Sequence, residues 1–552
     1  FAALTGCASR PAGDQYDVII RRGTVYDGSG GAPRNVDIGI KGQRIAAVGD
    51  LGRATARQVV DANGMAVAPG FVNMLSWAPD SLYIDGRSQS DIRQGVTLEV
   101  FGEGESVGPL TEQMRAAVLQ QQGDLKHPIE WTGFGEGLDT LAKKGVAPNI
   151  ASFVGAATIR EHELGFANRA PTPEELKRMQ DLVRQAMREG ALGVGSALIY
   201  APGTYAKTDE LIALVQAAGE FGGGYISHMR SEGNRLLESL DELIAITRAA
   251  HVHGEVYHFK AAGQANWPKM REAIKKIDDA RASGLDISAN MYTYTAGATG
   301  LDAAMPPWVQ EGGLDEWIKH LKDPKTRARV IKEMRTPTDQ WENLLLAAGK
   351  PENVLLVAFD NPALKPLTGK TLAEVARLRG KSPEDTAIDL VIEDHSRIGT
   401  VYFLMSEDNV KLGLSQPWVA LGSDEGSYEP AGVFLKFQPH PRAYGNFARF
   451  LGKYVREDHV ASLSDAIRRL SALPAKNLKL KDRGEIKTGD YADIVIFDPG
   501  AIADHATFDQ PSQYATGMRD VFVNGTQVLR NGEHTGATPG QVVRGPGYIA
   551  RP

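Results

Sequence analysis

The sequence predicts an α/β protein with two parts: a TIM-like (β/α)8 barrel and a small β-sandwich formed by the N- and C-terminal segments. Short apolar strands alternate with amphipathic helices along the middle of the chain, and roughly seven or eight such units favour a closed parallel barrel over an open sheet. Strand patterns without helices occupy both chain ends, which predicts the sandwich. The 60 glycines among the 552 residues suit the many tight turns of this architecture.

The two chain ends carry matching sets of short strands. Residues 17–64 contain DVIIRRGTVYDG, VDIGIKGQRIAAVG and RQVVDANG, separated by glycine and asparagine turns. Residues 492–499 and 520–536 contain ADIVIFDP and DVFVNGTQVLRNGEHTG. A meander of this kind needs a partner sheet to bury its apolar face. We therefore expect 16–65 and 471–552 to form one composite β-sandwich domain.

The segment 66–470 carries the alternating pattern and is expected to form the barrel. Its strands are predicted in GVTLEVFG, NIASFVG, ALGVGSALI, GGGYISHM, EVYHFKA, LDISANMYTY, VLLVAF and VALGSD. One helix, PEELKRMQDLVRQAMREG, is opened by Thr172-Pro173 and closed by Gly190. Residues 296–350 interrupt the alternation of strands and helices, and we interpret them as an insertion that could serve as a lid. No Gly-x-Gly-x-x-Gly follows the first strand, so a dinucleotide-binding fold is not supported.

Composition excludes several classes of function. The net charge of −7 and the absence of a basic stripe argue against a nucleic-acid-binding protein. The single cysteine rules out an intrachain disulfide framework and a thiolate metal cluster. No apolar run approaches the roughly 18 residues of a membrane-spanning helix.

The first residues, FAALTGCASRPAGDQ, resemble a bacterial lipobox followed by a polar tether. In such a motif Cys7 would become the lipidated N-terminus, and residues 1–15 would be a signal remnant and tether. We therefore expect a lipid-anchored protein of the bacterial cell envelope, periplasmic or associated with the outer membrane, whose one membrane contact is the anchor. The alternative is a fortuitous cysteine in a leader segment.

Ligand-type side chains follow four of the predicted barrel strands. They are Glu103 and Glu105 in FGEGES, His228 in YISHM, His258 and Lys260 in VYHFKAAG, and Asp424 in VALGSD. The carboxyl ends of barrel strands share one rim, so these side chains are expected to lie together. His228 and His258 stand one strand-helix-strand step apart, and two imidazoles with a carboxylate form a typical ligand set for catalytic Zn²⁺. A carboxylate outside that set can act as the base on a metal-activated water, and Asp424 suits this role.

Several motifs resemble the N-acyl-D-amino-acid deacylases (D-aminoacylases) of the amidohydrolase superfamily: SHMRSEG, YHFKAAG, MYTYTAGATGL, LGSDEGS and QPHPRAYGNFARFLGKYV. The resemblance covers nearly all of the chain after residue 15. It implies a metal-bearing barrel flanked by a β-sandwich made from both termini.

The resemblance also implies roles for individual residues. His228 and His258 would be zinc ligands, and Asp424 would be the catalytic acid and base. Lys260 and Arg442 resemble a clamp on the substrate carboxylate, for which a planar guanidinium and a compact ammonium are both suited. Tyrosines match positions near the bound substrate: Tyr200, and Tyr292 or Tyr294.

The chain departs from the family pattern at two places, both at the metal. Where the family usually has His-x-His after Pro-Gly-Phe, this chain has Leu75-Ser76-Trp77. Where the family usually has Gly-Asn-Cys-Gly, this chain has Gly102-Glu103-Gly104-Glu105. We therefore expect one metal ion per chain, held by Glu103, His228 and His258, with Glu105 as the alternative carboxylate. Zinc fits this set, and another divalent ion such as iron or manganese would also fit.

These residues predict a metal-dependent hydrolase that cleaves the amide bond of N-acyl-D-amino acids to a carboxylic acid and a D-amino acid. A metal-activated water would attack the acyl carbon, with Asp424 as general base and then acid. One alternative is a hydrolase of another carboxylate-bearing amide, such as a dipeptide or a cyclic imide. Another is a metal-free lipoprotein that only binds ligands.

Overall fold

The computed structural model describes residues 15–550. The lipobox predicted around Cys7 lies outside the described residues, so the lipid anchor and the envelope location stay predictions. Among the described residues, no helix combines the length and the apolar character needed to cross a membrane.

Seven strands come first: β1 (Tyr16–Arg21), β2 (Thr24–Val25), β3 (Arg34–Asn35), β4 (Asp37–Lys41), β5 (Arg44–Gly49), β6 (Ala56–Asp61) and β7 (Ala66–Pro69). Four of them form a sheet in the order β5-β4-β1-β6. Alternating residues of β1 and β4, such as Val18, Ile20, Ile38 and Ile40, are buried in one core. Period-two burial of β-branched residues is what makes these segments strands.

The following strands, in chain order, are β8 (Phe71–Asn73), β9 (Val96–Phe101), β10 (Asn149–Ser152), β11 (Val154–Gly155), β12 (Gly193–Ala197), β13 (Gly224–His228), β14 (Gly254–Val256), β15 (Ile287–Met291), β16 (Ala296–Gly300), β17 (Val354–Ala358), β18 (Gly399–Phe403) and β19 (Val419–Leu421). Strands β8 to β15 and β19 are parallel neighbours, and β10 and β11 share one position because the ladder is interrupted at Phe153. The amide of Met74 donates to the carbonyl of Leu421 (3.0 Å), and that of Asp424 donates to the carbonyl of Leu75 (2.8 Å). These bonds close an eight-position barrel.

The chain ends with β20 (Ile494–Phe497), β21 (Met518–Val523), β22 (Thr526–Arg530) and β23 (Glu533–His534). They join N-terminal strands in one sheet of order β23-β22-β21-β20-β7-β2-β3. Ile494, Ile496 and Phe522 pack in the same core as β1 and β4. The predicted fold class, a (β/α)8 barrel with a β-sandwich drawn from both termini, is confirmed.

The described helices are α1 (Pro79–Ile84), α2 (Gln89–Ile92), α3 (Glu112–Gln120), α4 (Phe134–Lys144), α5 (Ala156–Leu164), α6 (Pro173–Arg188), α7 (Thr208–Gly219), α8 (Leu236–Ala250), α9 (Lys269–Ala282), α10 (Leu314–Lys322), α11 (Pro324–Arg335), α12 (Leu344–Ala347), α13 (Leu372–Arg379), α14 (Pro383–Asp394), α15 (Glu407–Leu414), α16 (Arg442–Arg449), α17 (Leu463–Leu470) and α18 (Ala472–Asn477). Helix α6 begins where the sequence predicts. Thr172 and Glu175 form a capping box, and Pro173 occupies the first turn. Met179 and Val183 are buried on its inner face.

The insertion is longer than the predicted 296–350, because it runs over 296–403 between β15 and β19. It contains an antiparallel sheet of order β16-β18-β17. The prediction of VLLVAF as a barrel strand was therefore wrong, since this segment is β17 and pairs with β18. A short buried apolar run has the same pattern in either setting. The eighth barrel position is instead taken by Phe71–Asn73, directly after β7 of the sandwich.

A buried polar network joins the barrel to the sandwich. Asn524, in the turn after β21, donates from its side chain to Asn149 Oδ1 in β10 (2.8 Å), and its amide donates to Asp493 Oδ1 (2.8 Å). Arg483 Nη2 donates to Asn524 Oδ1 (2.8 Å) and also pairs with Asp493. Burial makes each of these contacts costly to lose, because water does not replace the missing partner.

We expect Asn524→Ala to lower the free energy of unfolding by about 2–3 kcal/mol, because Asn149 and Arg483 lose partners in a buried environment. The measurement is the denaturant midpoint and slope of unfolding. The exposed Asn168 provides the matched control, and Asn168→Ala should leave the midpoint unchanged. Equal midpoints for the two variants would contradict this account of the junction.

Candidate active site

Three buried side chains from three strand ends converge on one point. Glu103 follows β9, His228 ends β13 and His258 follows β14. His258 Nε2 lies 2.7 Å and His228 Nδ1 lies 3.1 Å from the same atom, Glu103 Oε1. One donor atom from each residue lies within 4.8 Å of the others. The structure thus brings Glu103 to the two histidines, while Glu105 lies elsewhere on the same cavity.

The mutual contacts set the charges of this cluster. Burial favours the neutral acid, but His258 and His228 outweigh it and hold the pKa of Glu103 well below its usual range. For His258, burial and the Lys260 ammonium favour the neutral ring. The Glu232 and Glu103 carboxylates outweigh both and raise the pKa of His258 to about 9.

Glu232 lies behind both histidines and orients His258. Its Oε1 lies 2.9 Å from His258 Nδ1, and its Oε2 lies 3.7 Å from His228 Nε2. Lys260 donates to Glu232 Oε1 (2.6 Å) and to the carbonyl of His258 (2.9 Å). A carboxylate on the outer nitrogen of a histidine fixes which nitrogen faces the metal. Lys260 lines the cavity as predicted, but its ammonium is paired with Glu232.

Asp424, the predicted base, has a side-chain partner at each of its two carboxylate oxygens. Trp77 donates its indole N–H to Asp424 Oδ1 (3.2 Å) and to Glu103 Oε2 (2.9 Å). Arg442 Nη2 lies 2.9 Å from Asp424 Oδ2. Burial and the nearby Glu103 charge raise the pKa of Asp424, although Arg442 opposes them. A carboxylate with a raised pKa is better able to accept a proton in the working range of pH.

Two of the key residues have left-handed backbones. The φ angle is 33° at His258 and 54° at Asp424. Such angles are uncommon for residues other than glycine, and they persist where the surroundings impose them. At His258 the angle is imposed by Asn290, because its side-chain Oδ1 accepts a hydrogen bond from the backbone N–H of His258 (3.0 Å).

Arg442 is 1% exposed and packs against Tyr292, with its guanidinium carbon 4.4 Å from the ring centre. Its Nε and Nη1 have no hydrogen-bond partner within residues 15–550. Unpaired buried donors of a permanent cation are costly. Since Arg442 and Tyr292 both line the cavity, these donors are suited to an anionic group of a ligand.

The other predicted side chains divide between the cavity and the core. Tyr200 lines the cavity, with its ring 5.2 Å from that of His228. Tyr294 does not line it, because the chain leaves the barrel after β15 and the Tyr294 hydroxyl donates to Asp504 (3.2 Å). His440 is a buried structural residue whose Nδ1 accepts the Arg442 amide (3.0 Å).

The cavity has a volume of about 390 Å³. The insertion contributes part of its wall, through Thr299, Leu344, Val357, Arg397, Ile398 and Tyr402. Arg397 pairs with the buried Asp302 (Nε to Oδ2, 3.0 Å), and its guanidinium lies 4.9 Å from the Tyr200 ring. The part of the wall that the insertion contributes is therefore largely apolar. Its one cation, Arg397, is neutralised by Asp302.

The donor set fits a divalent metal ion. Two imidazole nitrogens and one carboxylate oxygen are ligands that zinc prefers, and all three are buried. The Glu232 carboxylate, 2.9 Å from His258 Nδ1, holds that ring with Nε2 towards Glu103.

Sequence reasoning missed three residues of this site. Glu232 lies four positions after His228 in SHMRSEG, and its acidic side chain next to a ligand histidine was an available signal. Trp77 enters the sequence analysis only as a departure from the His-x-His pattern, although its indole N–H is a hydrogen-bond donor. Arg397 gave no signal, because it is distant in sequence and enters through the insertion.

A closed α/β barrel with this ligand set at its carboxyl rim defines a metal-dependent hydrolase of the amidohydrolase type. Residues 116–529 match the model of the Amidohydrolase family. The chain is 33% identical to D-aminoacylase from Alcaligenes xylosoxydans xylosoxydans over 96% of this chain and 97% of that protein. It belongs to the D-aminoacylase (N-acyl-D-amino-acid deacylase) family of the amidohydrolase superfamily.

Two solved structures resemble it over 96% of this chain and 100% of their own. One is D-aminoacylase, with a TM-score of 0.80 and 32% identity, described with a binuclear metal centre, one-metal activation and second-metal attenuation. The other is N-acyl-D-glutamate deacylase from Bordetella bronchiseptica, with a TM-score of 0.79 and 29% identity, in complex with zinc and a phosphonate mimic of the tetrahedral intermediate.

The raised pKa of His258 makes metal affinity depend on pH. Below its pKa of about 9, His258 carries a proton that a metal ion must displace. We therefore expect the zinc affinity of the metal-free protein to rise about tenfold per pH unit from about pH 7 until it levels near pH 9. Competition with a chelator of known affinity at several pH values measures this slope. An affinity independent of pH over that interval would contradict the prediction.

Proposed function

We propose that the protein hydrolyses N-acyl-D-amino acids to a carboxylic acid and a D-amino acid. The observation that carries this proposal is the placement of Asp424 and Arg442, in contact with each other, in the same cavity as Glu103, His228 and His258. One group can move a proton, one can hold a carboxylate, and three can hold a metal ion. Family membership supports the same reaction.

One metal ion, zinc in the first instance, would be held by Glu103, His228 and His258. When bound, it supplies Lewis acidity that activates water and stabilises negative charge on the acyl oxygen. His258 is kept in one orientation by Glu232, and Glu232 is in turn held by Lys260.

Arg442 binds the substrate's carboxylate with the donors that have no partner among residues 15–550. Its guanidinium is fixed by stacking on Tyr292 and by pairing with Asp424. The amino acid is therefore anchored beside the base, and its configuration at Cα decides whether the amide faces the metal ligands. This arrangement supports selection of one enantiomer by position.

Asp424 accepts a proton from the attacking water and later delivers it to the leaving nitrogen. The water oxygen forms the new bond to the acyl carbon, and the carbon–nitrogen bond breaks. Trp77 and Arg442 hold the two oxygens of Asp424, so the proton is taken and returned at a fixed place.

A dipeptide or a cyclic imide with a carboxylate remains a second candidate substrate class, because Arg442 would bind its carboxylate equally well. A screen of N-acetyl-D- and N-acetyl-L-amino acids, dipeptides and cyclic imides, with zinc and with a chelator, separates these classes. Binding of an N-acyl amino acid without turnover, in protein that contains metal, would instead favour a ligand-binding protein.

We expect Asp424→Asn to lower kcat for N-acetyl-D-amino acids by about 10²–10⁴-fold, because the amide cannot accept the proton. Zinc content should stay at the wild-type level, since Asp424 is not among the proposed ligands. Elemental analysis and steady-state kinetics on the same preparation check both points. Wild-type kcat in a folded, zinc-loaded variant would overturn the proposed role.

The pairing of Arg397 with Asp302 supports a preference for substrates without a second negative charge. We expect Asp302→Asn to raise kcat/KM for an acidic substrate, relative to an uncharged one, by about tenfold, because Arg397 loses its counter-charge. N-acetyl-D-glutamate carries the second carboxylate on its side chain, and N-succinyl-D-alanine carries it on its acyl group. Comparison of the two shows which part of the substrate faces Arg397. The double variant Asp302→Asn/Arg397→Gln should lose the gain. An unchanged ratio for both acids would refute the assignment.

A further inference from the structure

Trp77 makes one contact that its position as cavity wall does not require. Its indole N–H points at two carboxylate oxygens, Glu103 Oε2 at 2.9 Å and Asp424 Oδ1 at 3.2 Å. An indole N–H is a donor with no acceptor capacity and cannot ligate a metal. The nitrogen therefore lies between two acids that would otherwise both face the same space.

The backbone fixes Trp77 at this place. Barrel closure aligns the segment after β8 with the segment after β19, in a parallel bridge between Ser76 and Glu425. The amide of Trp77 donates to the carbonyl of Glu425 (2.9 Å), and the amide of Asp424 donates to the carbonyl of Leu75 (2.8 Å). Trp77 and Asp424 are thus neighbours across the closing seam, and their contact does not depend on a flexible loop.

The contact completes the hydrogen bonding of both acids. Glu103 Oε1 faces the two histidines, which leaves Oε2 for Trp77. Asp424 Oδ2 faces Arg442, which leaves Oδ1 for Trp77. One neutral donor therefore reaches the two oxygens that a cation bridging Glu103 and Asp424 would need, at about 2.0–2.2 Å from each.

We propose that Trp77 is a positioning residue: its indole N–H orients Glu103 and Asp424, and its aromatic side chain, which has no ligand atom, excludes a second metal ion from the space between them. The proposal rests on the proposed function for the identity of the first metal site and of the base. It adds that this chain binds a single divalent ion even when the ion is in excess. It also adds that Asp424 depends on Trp77 for its orientation.

Three variants test this. Trp77→Phe removes the N–H and keeps an aromatic side chain. Trp77→His replaces it with a side chain that can ligate a metal next to Glu103 and Asp424. Trp308→Phe is the matched control, because Trp308 also donates its indole N–H to a carboxylate, Glu333 (2.7 Å), but does not line the cavity.

The first measurement is zinc per chain at equilibrium with increasing free zinc, which requires no substrate. We expect saturation at one zinc for the wild type, Trp77→Phe and Trp308→Phe, and at two for Trp77→His. Saturation of the wild type at two zinc ions, or of a folded Trp77→His at one, would overturn the exclusion of the second ion. Circular dichroism and the thermal midpoint establish that each variant is folded.

The second measurement is kcat and KM with one equivalent of zinc. Trp77→Phe should lose about tenfold in kcat with KM changed less than about twofold, since a hydrogen bond to the charged base is lost while Arg442 is untouched. Trp308→Phe should match the wild type. A wild-type kcat for Trp77→Phe would overturn the positioning role, and this result is available even if Trp77→His does not fold. If the wild type hydrolyses none of the substrates, the proposed function fails, and the zinc counts still decide the role of Trp77 at the metal.

Discussion

One buried carboxylate holds the site together. Glu103 Oε1 contacts His258 and His228, and Glu103 Oε2 accepts the N–H of Trp77. These four side chains follow or end four different strands: β9, β14, β13 and β8. Their meeting point therefore depends on barrel closure, which sets the relative height of the strand ends. A shift of one residue in any of these strands would turn its side chain to the opposite face.

The buried charges are arranged as pairs around this carboxylate. Lys260 pairs with Glu232, and Arg442 pairs with Asp424. Glu103 has no lysine or arginine partner among the ion pairs of the described residues and is compensated by imidazoles, above all by His258. Imidazole is the one of these partners from which a metal ion readily displaces a proton, and His258 holds that proton up to a pKa of about 9. A divalent ion can thus replace the proton of His258 beside Glu103, while the lysine and arginine pairs stay in place.

Much of the site follows from one rule applied to the sequence: ligand-type residues after parallel strands share a rim. The rule found Glu103, His228, His258 and Asp424, because each lies at or within a few residues of a strand end. The resemblance left Tyr292 or Tyr294 open, and Tyr294 does not line the cavity because the chain has already turned into the insertion there. The rule gave nothing for Arg397, because no periodic pattern indicates how an insertion folds back over a barrel. VLLVAF was misassigned since burial on both faces erases the alternation that separates parallel from antiparallel strands.

The two departures from the family pattern make physical sense as one change. A thiolate presents one ligand atom, whereas the carboxylate of Glu103 presents two. With Oε1 facing the histidines, Oε2 would be a buried acceptor without a partner, which is costly. A second metal ion held by a His-x-His pair could satisfy it, and so can a neutral donor. Trp77 supplies that donor at the position of the second histidine, and Leu75, fully buried in the barrel core, fills the position of the first. A carboxylate in the turn after β9 thus presents a buried oxygen that needs a donor, and an indole after β8 supplies that donor.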